Sequence, residues 1–314
     1  MLGYVARRLA FTIPTLLLVA AAVFTLVRLI PGDPIQLMLG DAADPQQITE
    51  MRRALGLEEP LPVQFVLWLA KVGVGDLGKS ISNGLPVLPL MIERFQVSGL
   101  IVLIAVVFAT LVAVPGGLIA AWKQNRPLDI AIVTGATMLL SIPTFWLGLL
   151  LLLLFGLKLG WLPVVGYVPF SDNFGQALLY IVLPVVTLTM VEIGVMTRMS
   201  RAAAIEVLRL EYVTHARAKG LTESRVLMRH VLPNAFAPTW TLIGLIMGHL
   251  LGGIAVLETV FTLPGLGRLL VDAIFARDYP VVQGCLLFTA LIYVLVNLVV
   301  DLCYPLFDPR VSAE

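Results

Sequence analysis

Charge is what this chain has least of. Only 13% of its 314 residues are Asp, Glu, Lys or Arg, while 59% are hydrophobic; an ordinary soluble chain carries roughly a quarter charged residues. Such a balance excludes a water-soluble globule and points to a chain dissolved largely in lipid. Histidine is scarce, with three residues, and cysteine scarcer, with two. Cys285 and Cys303 share one apolar stretch, have no metal-ligand spacing and form no disulfide framework, so they read as packing residues. Basic runs with interleaved aromatics are missing too, and nothing points to nucleic acid.

What is present is long apolar stretches. Residues 98–121, 130–156 and 236–257 contain no charged side chain, and each meets the roughly 20 residues a helix needs to cross hydrocarbon. Three further stretches, 9–30, 178–197 and 283–304, carry only Arg28, Glu192 and Asp301 among them. Six transmembrane helices are expected. The first is read as an uncleaved span, because its apolar run continues past the small residues where a signal sequence would be cut.

Short loops rich in Lys and Arg stay on the cytoplasmic side. Arg7 and Arg8 at the N-terminus, Lys123 and Arg126, and seven Lys/Arg against three acids over 198–233 place both termini inside. The organisation expected is an N-terminal span (1–30), an external loop (31–97), a five-helix core (98–305) with a cytoplasmic loop (198–235), and a cytoplasmic tail (306–314).

The external loop contains GVGDLGKS, the letters of a phosphate-binding P-loop. That pattern acts only where a strand delivers the glycines and a helix opens behind them. Here PVQFVLWLAKV before it reads as an amphipathic helix, and ISNGLPVLP after it, with Asn-Gly and two prolines, is expected to break any helix. A loop facing away from cytoplasmic ATP with neither flank in place is a chance match.

The cytoplasmic stretch EYVTHARAKGLTESRVLMRHVLPNA is more informative. Glu211 to Lys219 reads as a helix with its acid first and its bases last, matching the helix dipole. Gly220 fits a left-handed C-terminal cap and Thr222 an N-cap for a second short helix, before Pro233 and the next span. Helices this short need a surface to dock on. The small residues Ala216, Ala218 and Gly220 suit insertion into a protein cleft better than contact with lipid headgroups.

This stretch resembles the cytoplasmic EAA motif of the permease subunits of binding-protein-dependent ABC importers, in the oligopeptide/dipeptide/nickel branch, with Glu211, Ala216, Gly220 and Pro233 in the expected places. MLGYVARRL, LIPGDP, LGLEEPLPVQF, GDLGKS, SIPTFWLGLLLLLLFGLKLGWLPVVGY and LLGGIAVLETVFTLPGLGRLLVDAIFARDYPVVQG extend the likeness over nearly the whole chain. Two departures stand out: QVSGLI lies where a threonine-leucine pair is expected, leaving the start of span two open by a few residues, and Tyr212 with Val213 replaces the alanines of the motif.

The resemblance implies an all-α membrane protein of the type I ABC importer permease fold, with a partly helical external loop, in a bacterial inner membrane. It implies a second permease subunit, two cytoplasmic ATPase subunits that bind ATP and Mg2+, an external solute-binding protein, contact with membrane lipid, and no cofactor or catalytic residue in this chain. The solute it implies is a di- or oligopeptide, with nickel chelates, glutathione or another small solute as the alternative. ATPase coupling is expected at Glu211, Thr214, Ala216, Arg217, Lys219, Gly220, Leu221 and Pro233. An external gate or docking face is expected at Glu258, Phe261, Pro264, Gly265, Gly267, Arg268, Asp272, Arg277 and Asp278. Glu192, an acid inside a span, is a pathway candidate, whereas His249, alone in an apolar span, reads as packing. A secondary transporter would show intramembrane charges or broken helices in matched halves, and no inverted repeat is evident.

Overall fold

The computed structural model describes residues 2–29, 44, 46 and 58–304. LIPGDP beyond Leu29, the start of LGLEEPLPVQF and the tail 306–314 lie outside the described residues. Among those described, the regular structure is helical, with one isolated antiparallel bridge between Lys79 and Pro86.

In chain order the helices are α1 (Leu2–Leu29), α2 (Leu61–Gly73), α3 (Val87–Trp122), α4 (Pro127–Ser141) and α5 (Thr144–Leu151), which continues as a π-helical segment, Leu152–Lys158. Then come α6 (Phe174–Leu208), α7 (Glu211–Ala218), and α8 (Glu223–Val226), which passes through a π-helical turn, Leu227–Val231, into α9 (Leu232–Gly253). The chain closes with α10 (Ala255–Val260), α11 (Leu266–Phe275) and α12 (Tyr279–Cys303). Five stretches are each long and apolar enough to cross a membrane: Ala10–Arg28, Val87–Trp122, Phe174–Leu208, Glu223–Gly253 and Tyr279–Cys303. The pair Pro127–Ser141 and Thr144–Lys158, bent by 96°, makes a sixth crossing when its two helices are counted as one span.

Six crossings agree with the sequence reading, but three details differ. Span three is two helices rather than one, because Ile142 is extended (φ −91°, ψ 121°) ahead of Pro143, and a residue before proline is driven out of the helical region. Span two starts at Val87, inside the stretch expected to break helices. Pro86 is its N-cap and Pro89 falls in its first turn, where a missing N–H costs nothing. The cytoplasmic loop is mostly helix as well, since α6 runs on to Leu208 and the second helix of the bend never ends before span five.

Helices α3 and α6 form the spine and pack along much of their length. Their approach is set by small residues: a Cβ on Gly117 would stand 2.8 Å from the Arg201 N and the Thr197 O. Likewise a Cβ on Gly194 would reach 2.6 Å from the Ala136 O, which seats α4 against α6. Close backbone contact of this kind replaces hydrophobic drive between helices in lipid. The main apolar core gathers Ile101, Ala105, Ala109, Leu188, Met196, Ile254 and Leu263 from α3, α6 and the start of the last external segment. Outward, Leu103, Val107, Phe108 and Leu111 of α3 are about half exposed, an apolar surface suited to lipid or another membrane subunit and not to water.

Candidate functional site

Three constellations carry the functional reading, one at each end of the bundle and one between. At the end expected to be cytoplasmic, α7 closes on a Schellman cap. The Leu221 N–H donates to the Ala216 carbonyl at 3.4 Å and the Gly220 N–H to the Arg217 carbonyl at 2.9 Å. Gly220 takes φ +77° as this cap requires. Across the bend, Arg217 donates twice to the Glu223 carboxylate at 2.8 and 3.2 Å. Thr222 stands at the N-cap position of α8 with extended backbone, though its side chain makes no capping bond.

Beneath the bend lies an apolar floor of Val213, Ala216, Val226, Leu227 and Val231, joined by Leu118 and Ala204 from the ends of α3 and α6. Ala216 is therefore small because it packs inward, at 5% exposure, and not because it offers backbone to a cleft. Leu221 is half-buried on the same floor. Glu211, Thr214, Arg217, Ala218, Lys219, Gly220 and Pro233 remain exposed. They present one outward face of mixed charge, in which a Cβ at Gly220 would meet nothing within 4 Å.

Next to this unit, Arg201 grips Asp129 with two bonds of 2.6 and 2.7 Å, and the Asn125 N–H donates to the same carboxylate at 2.9 Å. Asp129 is buried and Arg201 is mostly so. The pair ties the start of α4 to α6. Sequence offered no signal for it, since the partners lie 72 positions apart.

At the opposite end, expected to be external, Glu258 is fully buried. Its carboxylate accepts from the Ser98 hydroxyl at 2.5 Å and from the Arg268 N–H at 2.7 Å, and also from the Gly267 N–H. Ser98 in turn accepts from the Leu266 N–H at 2.8 Å. Burial pushes the Glu258 carboxyl above the usual carboxylate range; the Ser98 hydroxyl, the two amides and the charge of Arg268 act against that rise. A Cβ at Gly265 would stand 2.0 Å from Glu258 Oε1, so the glycine is the only residue that admits the carboxylate.

Asp278 is buried too, at 2% exposure. It accepts from the Ser80 hydroxyl at 2.5 Å and from the N–H groups of Ile81 and Ser82 at 3.1 and 3.2 Å. The letters GKS thus lead into a small anion cradle after all, and its anion is this chain's own aspartate. Neither a preceding strand nor a P-loop helix is there: the stretch is a tight turn closed by the Lys79–Pro86 bridge.

These contacts correct the expected docking face. Glu258, Phe261, Gly265, Gly267 and Asp278 are buried and work inside the chain, while Asp272 and Arg277 are exposed and Arg268 and Pro264 are partly so. Arg268 and Asp272 approach to 3.7 Å on that surface. Ser98 lies in QVSGLI, the departure noted above, and its signal was the presence of a hydroxyl in an apolar run.

Between the ends, Glu192 of α6 and His249 of α9 line one cavity of about 520 Å³. His249 is exposed to that space instead of packed in the core. Cys285 is buried in the core as expected, and Cys303 is half-buried.

A helical chain with five crossings and a broken sixth, a cavity between its helices and a braced bend at one end has the build of a polytopic membrane component. The chain belongs to the family described as binding-protein-dependent transport system inner membrane component, matched over residues 113–313, with the N-terminal part of the same system's membrane component matched over 1–98. It is thus a non-catalytic permease component of an inner membrane.

Among its relatives, the probable peptide ABC transporter permease protein y4tP of Sinorhizobium fredii is 40% identical over 98% of both chains. The di/tripeptide transport system permease protein DppB of Pseudomonas aeruginosa is 39% identical over the full length of both. The glutathione transport system permease protein GsiC of Escherichia coli is 42% identical over 99% of both. Among solved structures, an inward-facing MetNI methionine ABC transporter matches with a TM-score of 0.57 at 17% identity, covering 69% of this chain and 96% of that one. That likeness concerns the fold alone, and it is the fold of ABC importer permeases.

Proposed function

We propose that this chain is one of a pair of permease subunits in an ATP-driven importer of short peptides, forming half of the pathway. The observation that carries this reading is the match of about 40% identity over essentially the whole chain to proteins named peptide permeases. The glutathione relative favours a second reading within the same architecture, import of glutathione or a similar small solute. Two cytoplasmic ATPase subunits hold ATP and Mg2+, an external binding protein delivers the solute, and both termini face the cytoplasm.

In this reading the bend at Gly220, braced by Arg217 and Glu223, rests in a groove of one ATPase subunit. Closure of the ATPase pair moves it as a rigid body, and the π-helical turn that joins it to α9 without a break carries that displacement into span five. Externally, Arg268, Asp272 and Arg277 meet the binding protein, while Glu258 and Asp278 hold the surface that presents them.

The test is purification from the native host, with identification of co-purifying subunits, followed by ATP-dependent peptide uptake in proteoliposomes. A chain isolated alone that transports without ATPase subunits overturns the proposal.

A further inference from the structure

The cavity beside Glu192 is built from four helices: α5 supplies Thr144 and Phe145, α6 supplies Glu192, α9 supplies His249 and Leu250, and α10 supplies Val256 and Leu257. Most of its wall is apolar, which makes its polar features stand out. Glu192 is 6% exposed and lines the cavity, and its carboxylate makes no hydrogen bond or ion pair among the described residues. The other buried carboxylates of the described residues behave differently. Asp129 is held by Arg201, Glu258 by Ser98 and backbone amides, and Asp278 by Ser80 and its neighbours. Among these four, Glu192 alone is left facing open space.

A second wall holds the start of α5. This helix begins inside span three, behind Pro143, whose side chain caps nothing. Helix geometry leaves the N–H groups of Thr144, Phe145 and Trp146 without an intrahelical acceptor, and the helix dipole adds partial positive charge there. Broken helices inside spans orient such termini toward anionic groups of a solute. One apolar cavity therefore contains a carboxylate lacking a cation and a helix start lacking an anion.

We propose that this cavity is a transit station for a zwitterionic solute, with the free α-ammonium of a short peptide held by Glu192 and its free α-carboxylate by the N–H groups of Thr144 and Phe145. His249 adds a group able to donate or accept beside them. The inference rests on the peptide-import reading and sharpens it: selection occurs inside the permease, by both chain ends, whatever the side chains.

The experiment uses the assembled transporter in nanodiscs without nucleotide or binding protein. The probes are radiolabelled L-alanyl-L-alanine, its N-acetyl derivative and its C-terminal amide. The wild-type assembly is expected to bind the free dipeptide saturably and the acetylated one about tenfold more weakly, since an ammonium–carboxylate contact is lost. Glu192→Gln is expected to bind both peptides at that weakened level, while Glu192→Asp keeps the preference for the free amine. The amide derivative weakens binding by the same factor in wild type and in Glu192→Gln. Absence of saturable binding, or an unchanged free-to-acetylated ratio in Glu192→Gln, overturns the station. Uptake of Ala-Ala with ATP and binding protein is measured in parallel. If uptake occurs while binding or discrimination is absent, this inference alone fails; if no peptide is taken up, the functional reading fails and takes the inference with it.

Discussion

The two ends of this molecule solve the problem of charge in opposite ways. At one end, the carboxylates of Glu258 and Asp278 are buried and saturated by hydroxyls and amides of the same chain. At the end that carries the bend, the charges of Glu211, Arg217 and Lys219 are exposed over a small apolar floor, and the one buried acid nearby, Asp129, is held by an arginine, Arg201. A saturated acid specifies one arrangement of its own chain. A charged, exposed face over a fixed floor keeps its shape and leaves its charges accessible.

That contrast is broken or sharpened by substitution, beginning with the largest effect. Glu258→Ala strands the Ser98 hydroxyl and the Arg268 and Gly267 amides, and the loss is expected to reach about 3 kcal/mol or more, because each buried unsatisfied group costs roughly 1–3 kcal/mol. Thermal unfolding of the purified complex in detergent reads it. A Tm equal to wild type, with only binding-protein affinity reduced, would return Glu258 to the docking surface. Ala216→Glu drives a carboxylate into the floor beneath α7 and costs about 2 kcal/mol, limited by the ability of that short helix to tilt outward and rehydrate it. Co-purified ATPase subunits should fall while membrane abundance holds, and full retention with normal uptake would show that the floor does not support the bend.

Gly220→Val forces a β-branched residue into a left-handed conformation at about 1–2 kcal/mol. Coupling should suffer before folding, so ATP hydrolysis stimulated by the loaded binding protein drops while subunit composition stays intact. Unchanged stimulation would mean the cap is ornamental to coupling. Smallest is Lys79→Ala, for which ATP hydrolysis by the complex is expected to stay within experimental error. Loss of nucleotide binding in an assembled complex would revive the P-loop.

The crossings were legible in sequence because twenty apolar residues without charge have few other solutions. The bend at Gly220 was legible too, since a helix with its bases last and a glycine after them marks its own end. What stayed hidden was pairing over distance. Ser98 meets Glu258 across 160 positions and Asp129 meets Arg201 across 72, and no local pattern announces either. The same blindness assigned Glu258 and Asp278 to a docking surface, since an acid in an external loop looks solvated until its donors are known. His249 was misjudged because its span looks apolar all round, whereas one of its faces borders a cavity. Pro143 carried the signal for the broken span, but four other prolines in or near spans looked similar, and Pro14, Pro115, Pro184 and Pro238 all lie within continuous helices.

The bond between Ser80 and Asp278 spans 198 positions, and it imposes an order on biogenesis. The turn around Ser80 leaves the ribosome early, just ahead of span two, and its cradle of amides then stays empty while four more crossings are made. Only when the segment before the last span emerges does the cradle receive its acid. Until synthesis is nearly over, a half-made chain is open at this point, so maturation finishes where it began, with the loop before the last span closing over the loop before the second.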